Sequence, residues 1–421
     1  MSASRHPSRA AAGSSRRALI TLPLLLAGGL MAGSAQAEGE LRLVHEITSQ
    51  VTTASQVTAG GPSLAATNAS TTAWRSELAW RQNLSLKALA QGLSLGLDGV
   101  AAHRWVDDGS AGASADLSRL NELQLGLDLP GAQGSAWALS AGRKIMSWDV
   151  GYAWRPNDVV QQEVRRSLLT STPQGRPLLA VEHYGAAQDS AALVWVNPQH
   201  ADGGDANSAR GAEESALAAR SYARQGALDI HTFARVGRRT AASLGGALAW
   251  VADEALELHA SARWLQRDLG WMAQGPTGQI LLGAQWTGAA RQSLLVEAWH
   301  DGTAPSNAQW RAWGNHPRAA GLGPNLRRDN LYARLAWQPE AGAGRCWPEA
   351  FPFNTGTWQL SLDTLFTPAD EGRITSAGLQ WQGDRIRLDL ALRQRGGRAG
   401  SVLALLPGPH HQAVLQLGLP F

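Results

Sequence analysis

Segments of strict two-residue alternation, each about ten to fifteen residues long, run through this chain and narrow its possible folds more than any other feature. In "AWRSELAWRQNLSLKAL" one parity carries Trp74, Leu78, Trp80, Leu84 and Leu86, and the other Arg75, Glu77, Arg81, Asn83 and Lys87. "DRIRLDLALRQR" sets Ile386, Leu388, Leu390 and Leu392 against Arg385, Arg387, Asp389, Arg393 and Arg395. "LELHASARWLQR" does the same with Leu256, Leu258 and Trp264 against Glu257, His259, Arg263 and Arg267. Successive side chains of a strand point to opposite faces, so each segment is a strand with one apolar and one polar face. Their length matches a tilted strand that crosses a bilayer and exceeds what a soluble sandwich uses. Beyond the first 37 residues no apolar run reaches the ~18 needed for a spanning helix. A chain that crosses lipid without such helices must close its strands into a barrel, because an open sheet edge cannot be satisfied there.

About eighteen such segments begin near Leu41, Trp74, Leu89, Leu117, Trp137, Leu178, Ala192, Leu217 and Leu228, then near Leu244, Leu256, Ile280, Leu294, Leu331, Trp358, Ile374, Ile386 and Ala413. The fold expected is therefore all-β, a transmembrane antiparallel up-and-down β-barrel. The connections alternate in length. Long polar ones (55–71, 106–116, 148–176, 198–214, 300–326, 396–409) follow odd segments, and tight ones such as "PGAQG", "RQG" and "QGDR" follow even ones. That asymmetry is the one expected of long outer loops and short periplasmic turns. Residues 338–355 are long for an inner turn and 238–240 short for an outer loop, so sixteen strands is the alternative count. Composition agrees: 18 Trp and 46 Gly accompany only 17% charged residues, whereas a soluble β-protein of this size spends more on surface charge. A net charge of +3 gives no reason to expect nucleic acid as a partner.

The ends of the chain add their own signals. Arg5, Arg9, Arg16 and Arg17 precede the apolar run "ALITLPLLLAGGLMAG" and the small-residue site "SAQA", which reads as a secretory leader over residues 1–37, cleaved after Ala37, with one barrel domain over 38–421. "SRRAL" also admits a twin-arginine export reading, which suits folded cargo and not a barrel. No Cys follows the apolar run to carry a lipid anchor, and Cys346, the single cysteine, has no partner for an internal disulfide. The last segment, "HHQAVLQLGLPF", alternates through Ala413, Leu415, Leu417 and Leu419 to Phe421. It resembles the C-terminal assembly signal of bacterial outer-membrane barrels, although Pro420 departs from that pattern. The resemblance implies residence in the cell outer membrane, with its lipid and the barrel assembly machinery as partners, the latter reading Leu417, Leu419 and Phe421.

At sixteen to eighteen strands a barrel is too wide for side chains to fill, so its interior is a water-filled channel narrowed by a loop. The longest candidate is "WDVGYAWRPNDVVQQEVRRSLLTSTPQGR", residues 148–176. Pro156 and Pro173 break strand pairing, Gly151 and Gly175 permit bends, and Asp149, Arg155, Asp158, Glu163, Arg165 and Arg166 supply charge. These six are candidate constriction residues. On the polar parities the candidate pore-lining residues are Arg75, Arg81, Arg263, Arg267, Arg334, Arg387 and Arg393, with Arg385 and Arg395 beside them. Guanidinium forks suit carboxylates and phosphates. Equally, each arginine pairs with an acidic neighbour across the lumen, from the set Glu77, Glu122, Asp128, Glu257, Asp363 and Asp389. The solute expected is small and polar or anionic, a carbohydrate or a carboxylate, and it moves by passive diffusion.

"GRKIMSWDVGYAWRPNDVV" resembles a segment of alginate-export-like and related Gram-negative porin families through Gly142, Arg143, Lys144, Trp148, Gly151, Pro156 and Asp158. The likeness covers about twenty residues, and those families commonly have Gly where this chain has Asp149. It implies a monomeric, many-stranded channel for a small or polymeric solute. An enzyme of the lipase or protease barrel type is the alternative, as is a structural or polysaccharide-exporting barrel. The chain has no "HExxH", and its "GxSxG", "GLSLG" at residues 92–96, lies in one of the alternating segments and not at a strand-to-helix turn, so no catalytic residue, metal or cofactor is expected.

Overall fold

Every alternating segment of the sequence becomes one strand of a single sheet. The computed structural model describes residues 35–420 except 59–60, 87–88, 108–112, 162–167, 169–172, 199–213, 268–274, 313–326, 340–355, 399–400 and 406–408. The strands are β1 (Ala35–Thr58), β2 (Gly61–Ser85), β3 (Leu93–Asp107), β4 (Ala113–Pro130), β5 (Ala136–Lys144) and β6 (Arg176–Tyr184). Next come β7 (Ser190–Val196), β8 (Ala216–Gln225), β9 (Leu228–Gly237), β10 (Ala241–Val251), β11 (Leu256–Leu265) and β12 (Thr277–Thr287). The last are β13 (Gln292–Asp301), β14 (Asp329–Trp337), β15 (Thr357–Thr367), β16 (Gly372–Gln382), β17 (Arg387–Gly396) and β18 (His411–Pro420). Two short helices, α1 (Asn307–Ala312) and α2 (Val402–Leu405), lie in connections.

Each strand pairs antiparallel with its sequence neighbour, and β1 pairs with β18 from Glu40↔Pro420 to Ser49↔His411. The sheet is thus a closed eighteen-stranded barrel, and sixteen is excluded. The three-residue connection 238–240 is a genuine turn, with Ala241 opposite Gly237. One expected loop is corrected: much of 55–71 belongs to β1 and β2, which stay paired as far as Thr58↔Gly61.

The two strand faces separate as the parities predict. Trp74, Trp250, Leu282, Leu362 and Leu415 point out of the barrel and are half exposed, whereas their lumen-facing neighbours Leu281, Glu297 and Gln416 are almost wholly buried. An exterior of this kind is stable only against another apolar medium, because hydration disfavours apolar surface by roughly 25 cal/mol per Å². Leu417 and Leu419 stand opposite Leu43 and Leu41 across the closing seam. Phe421, the end of the expected assembly signal, lies outside the described residues.

Candidate functional site: a loop folded into the lumen

Residues 145–161 leave β5 and run along the lumen side of the wall, and residues 173–175 lead into β6. Their apolar side chains explain why the segment turns inward. Met146, Trp148, Val159 and Val160 pack with Leu178, Ala180, Val194, Val196, Ala218, Phe233 and Ala247, lumen-side residues of β6 to β10. Ala153 and Trp154 join Leu281, Leu295, Trp299, Tyr332 and Leu365 on β12 to β15. Trp154 stacks on Trp299 with the ring planes 8° apart and the centroids at 6.0 Å. Burying one such side chain contributes a few kcal/mol, so the loop docks as a packed layer and not as a tethered strap.

Polar contacts fix its register on the wall. Glu297 of β13, fully buried, accepts the Tyr152 N–H at 2.6 Å and the Ala153 N–H at 2.7 Å. His259 Nε2 on β11 lies 3.0 Å from the same carboxylate. Asn157, also fully buried, donates to Ser261 Oγ at 2.8 Å and to the Ala262 carbonyl at 3.0 Å. Arg263 Nη1 donates to the Pro156 carbonyl at 2.9 Å, and Arg235 Nη1 of β9 to the Val159 carbonyl at 2.8 Å. Asn157 reaches the wall because Gly245 faces it: a Cβ at Gly245 would overlap Asn157 Oδ1. The return end is held on β4, where the register slips opposite Asp98/Gly99; there Gly175 N donates to the Asn121 carbonyl at 2.9 Å. A bulge frees backbone groups from the ladder, and here the loop takes them up.

The expected constriction residues divide. Asp149, Arg155 and Asp158 are inside the packing, not on its open face. Asp158 accepts from Ser147 Oγ at 2.8 Å, from Trp148 N at 2.8 Å and from Asp149 N at 3.0 Å, with Arg155 Nε at 3.1 Å. Arg155 also donates to the Asp149 carbonyl. Asp149 accepts from Asn157 N at 2.6 Å and Ser261 Oγ at 2.7 Å; burial pushes its carboxyl above the ordinary value while these donors pull it back. The three form the frame of the loop. Glu163, Arg165 and Arg166 lie outside the described residues.

The candidate wall arginines divide as well. Arg263 is spent on holding the loop, and Arg267, exposed near the outer rim, donates to the Arg239 carbonyl at 3.2 Å. Arg81 pairs with Asp98 at 3.0 Å, Arg75 with Glu77 at 3.5 Å, and Arg387 with Asp389 at 2.8 Å and Glu40 at 3.3 Å. These three pair with acidic residues on the same or nearby strands of the wall and not across the lumen. Arg334 and Arg393 differ. Arg334 lies over the Tyr152 ring, 5.2 Å from its centroid, where the docked loop meets β14. In register, Arg334 stands opposite Asp363, Asp363 opposite Ser376, and Ser376 opposite Arg393, whose Nε donates to Ser376 Oγ at 3.1 Å. One belt on β14 to β17 therefore carries two guanidiniums and one carboxylate, with Arg334 against the loop at Tyr152.

Residues that the parities did not single out do much of the positioning: Glu297, Asn157, Arg235 and Ser261. A signal for them was present. On β12 and β13 both parities are apolar, Ile280 and Leu282 against Leu281, Leu294 and Val296 against Leu295 and Trp299, and a lumen face that is apolar must be covered by something.

No protein-family model matches the chain, and no curated protein matches it by sequence. Solved structures of outer-membrane porins match its fold. Pseudomonas aeruginosa OccK7 (OpdD) aligns with a TM-score of 0.53 at 11% identity over 93% of this chain and 99% of that one. P. aeruginosa OprD gives 0.51 at 10% identity over 92% and 95%, and Acinetobacter baumannii OccAB1 gives 0.51 at 8% over 91% and 96%. At such identities the likeness is one of fold. The resemblance to porins thus holds at the level of architecture, and its narrower assignment to alginate-export-like families finds no support in these matches.

Proposed function

We propose that the chain is an outer-membrane channel through which small polar solutes diffuse passively, with preference for anions such as carboxylates. The observation that carries this reading is the docked loop: it closes part of a wide barrel and sets Tyr152 against Arg334, on the wall belt that also carries Arg393. A guanidinium over an aromatic ring keeps its donors turned toward water, where a planar carboxylate can replace the waters with paired hydrogen bonds. Asp363 between the two arginines tempers the field, so the preference is for passage and not for tight capture. Outer-membrane lipid would cover the apolar exterior. The assembly machinery would read the seam strand through Leu417, Leu419 and Phe421; the opposition of Leu417 to Leu43 and Leu419 to Leu41 supports that role for the first two. Purified protein in planar bilayers tests the reading: stepwise conductance with a reversal potential on the anion side is expected across a salt gradient, and a tight, non-conducting barrel would contradict it.

A further inference from the structure

Residues 401–403, in the outer connection between β17 and β18, are tucked against the barrel. Ser401, Val402 and Leu403 are almost completely buried, at 1%, 0% and 2% exposure. Leu403 belongs to the same buried cluster as Trp154 of the constriction loop, together with Leu365 and Trp299 of the wall, and Ile374 packs against that cluster. Polar contacts seat the segment independently. Asp370, in the turn between β15 and β16, accepts the Val402 N–H at 3.0 Å and the Thr367 hydroxyl at 2.7 Å. Gly397, at φ 150°, permits the approach: a Cβ there would fall 2.7 Å from the Gly372 Cα and 2.8 Å from the Glu371 carbonyl oxygen.

We infer that α2 is a clamp on the constriction loop, so that the channel is narrowed by two outer connections acting together and not by one. This rests on the channel reading and adds to it a regulatory contact. A four-residue helix is too short to hold itself in water, so its position depends on burying Val402 and Leu403. Withdrawing them takes Leu403 out of the buried cluster that also holds Trp299, Leu365 and Trp154. The loop then keeps its hydrogen bonds to Glu297 on β13 and from Asn157 to β11 but loses apolar support, so those bonds open more often. An event at the cell exterior that lifts this connection would widen the pore without breaking the loop's polar anchors.

The test uses the full-length barrel with Leu403→Asp, Leu403→Ala as the milder change, and Gly397→Ala, which alters the approach and leaves the apolar residues intact. Heat-modifiable migration identifies folded protein in each case. Hydrogen exchange of the Tyr152 and Ala153 amides is read alongside single-channel conductance. Clamping predicts severalfold faster exchange at these amides, graded from Leu403→Ala to Leu403→Asp, with raised conductance and more frequent opening. Unchanged exchange at Tyr152 and Ala153 in folded Leu403→Asp overturns the clamp whatever the conductance. Faster exchange in a barrel whose unmodified form never conducts would leave the clamp standing and overturn the channel reading.

Discussion

Glu297 on β13 accepts the Tyr152 N–H at 2.6 Å, joining residues 145 positions apart in sequence and fastening the inward loop to the barrel wall. Its second oxygen takes the Ala153 N–H, so one carboxylate satisfies two consecutive backbone donors that no strand partner reaches. Replacing Glu297 with Ala strands both donors, and each unsatisfied buried group costs about 1–3 kcal/mol. Gln retains one carbonyl acceptor. Amide exchange at Tyr152 and Ala153 should therefore accelerate in the order wild type, Glu297→Gln, Glu297→Ala, while amides in the middle of β11 stay protected. Equal protection in all three would dissociate the loop from this residue.

Gly245 offers a way to displace the loop without touching it. Any Cβ at this position meets Asn157 Oδ1, whose amide is fully buried and donates to β11. Gly245→Val should leave the barrel closed and heat-modifiable but release the loop. The readout is protease cleavage within residues 145–161, which is expected in the variant and absent from the wild type. Resistance equal to the wild type would mean that the loop tolerates a shifted Asn157.

Selectivity should follow the belt beside Tyr152. Arg334→Glu with Arg393→Glu leaves three carboxylates in register where there were two guanidiniums and one carboxylate. At this narrow passage charges act at short range and are poorly screened, so the reversal potential should move toward cation preference. Arg267→Glu, at the exposed outer rim, should move it little, because salt at 0.1 M screens beyond ~10 Å. Equal shifts from both variants would locate the selectivity elsewhere.

The outer turn between β9 and β10 carries a pH-sensitive tie. Glu214 accepts from Arg239 N at 2.6 Å and from the Thr240 hydroxyl, and pairs with Arg235 at 3.3 Å. Burial alone would raise its carboxyl, but the Thr240 and Arg239 donors and the Arg235 charge outweigh it and hold the group below its ordinary value. A carboxylate depressed in the folded state stabilises fully above its unfolded pKa, near 4.3, and loses that contribution as pH falls through the lower folded value. Exchange at Arg239 and Thr240, corrected for intrinsic rates, should be flat from neutral pH to about 5 and rise below about 4. Glu214→Gln should abolish the pH step; a step that persists in that variant would assign it to another group.

The barrel was legible because membrane strands alternate without relief. Trp74, Leu78 and Trp80 on one parity, with Arg75, Glu77 and Arg81 on the other, specify both faces of β2 locally, and closure follows because lipid tolerates no open edge. The inward loop was legible from its length and its prolines. Its chemistry was not. Asp149, Arg155 and Asp158 look like pore charges in sequence, yet they pair within the loop through contacts only a few residues apart along the chain. Glu297 and Arg263 look like lumen residues, yet they serve as the dock, a role set by contacts more than a hundred positions away. The tuck of α2 was hidden for the same reason: Leu403 reveals itself only when the cluster it shares with Leu365, Trp299 and Trp154 is known.

The account stands most directly on single-channel conductance of the wild type against a variant whose loop is undocked, carrying Glu297→Ala and Asn157→Ala together. An intact barrel narrowed by a docked loop predicts discrete, uniform steps for the wild type and larger, noisier steps for the folded variant. Wild-type and variant steps of the same size and the same noise would contradict it, since the loop would then have no part in setting the pore.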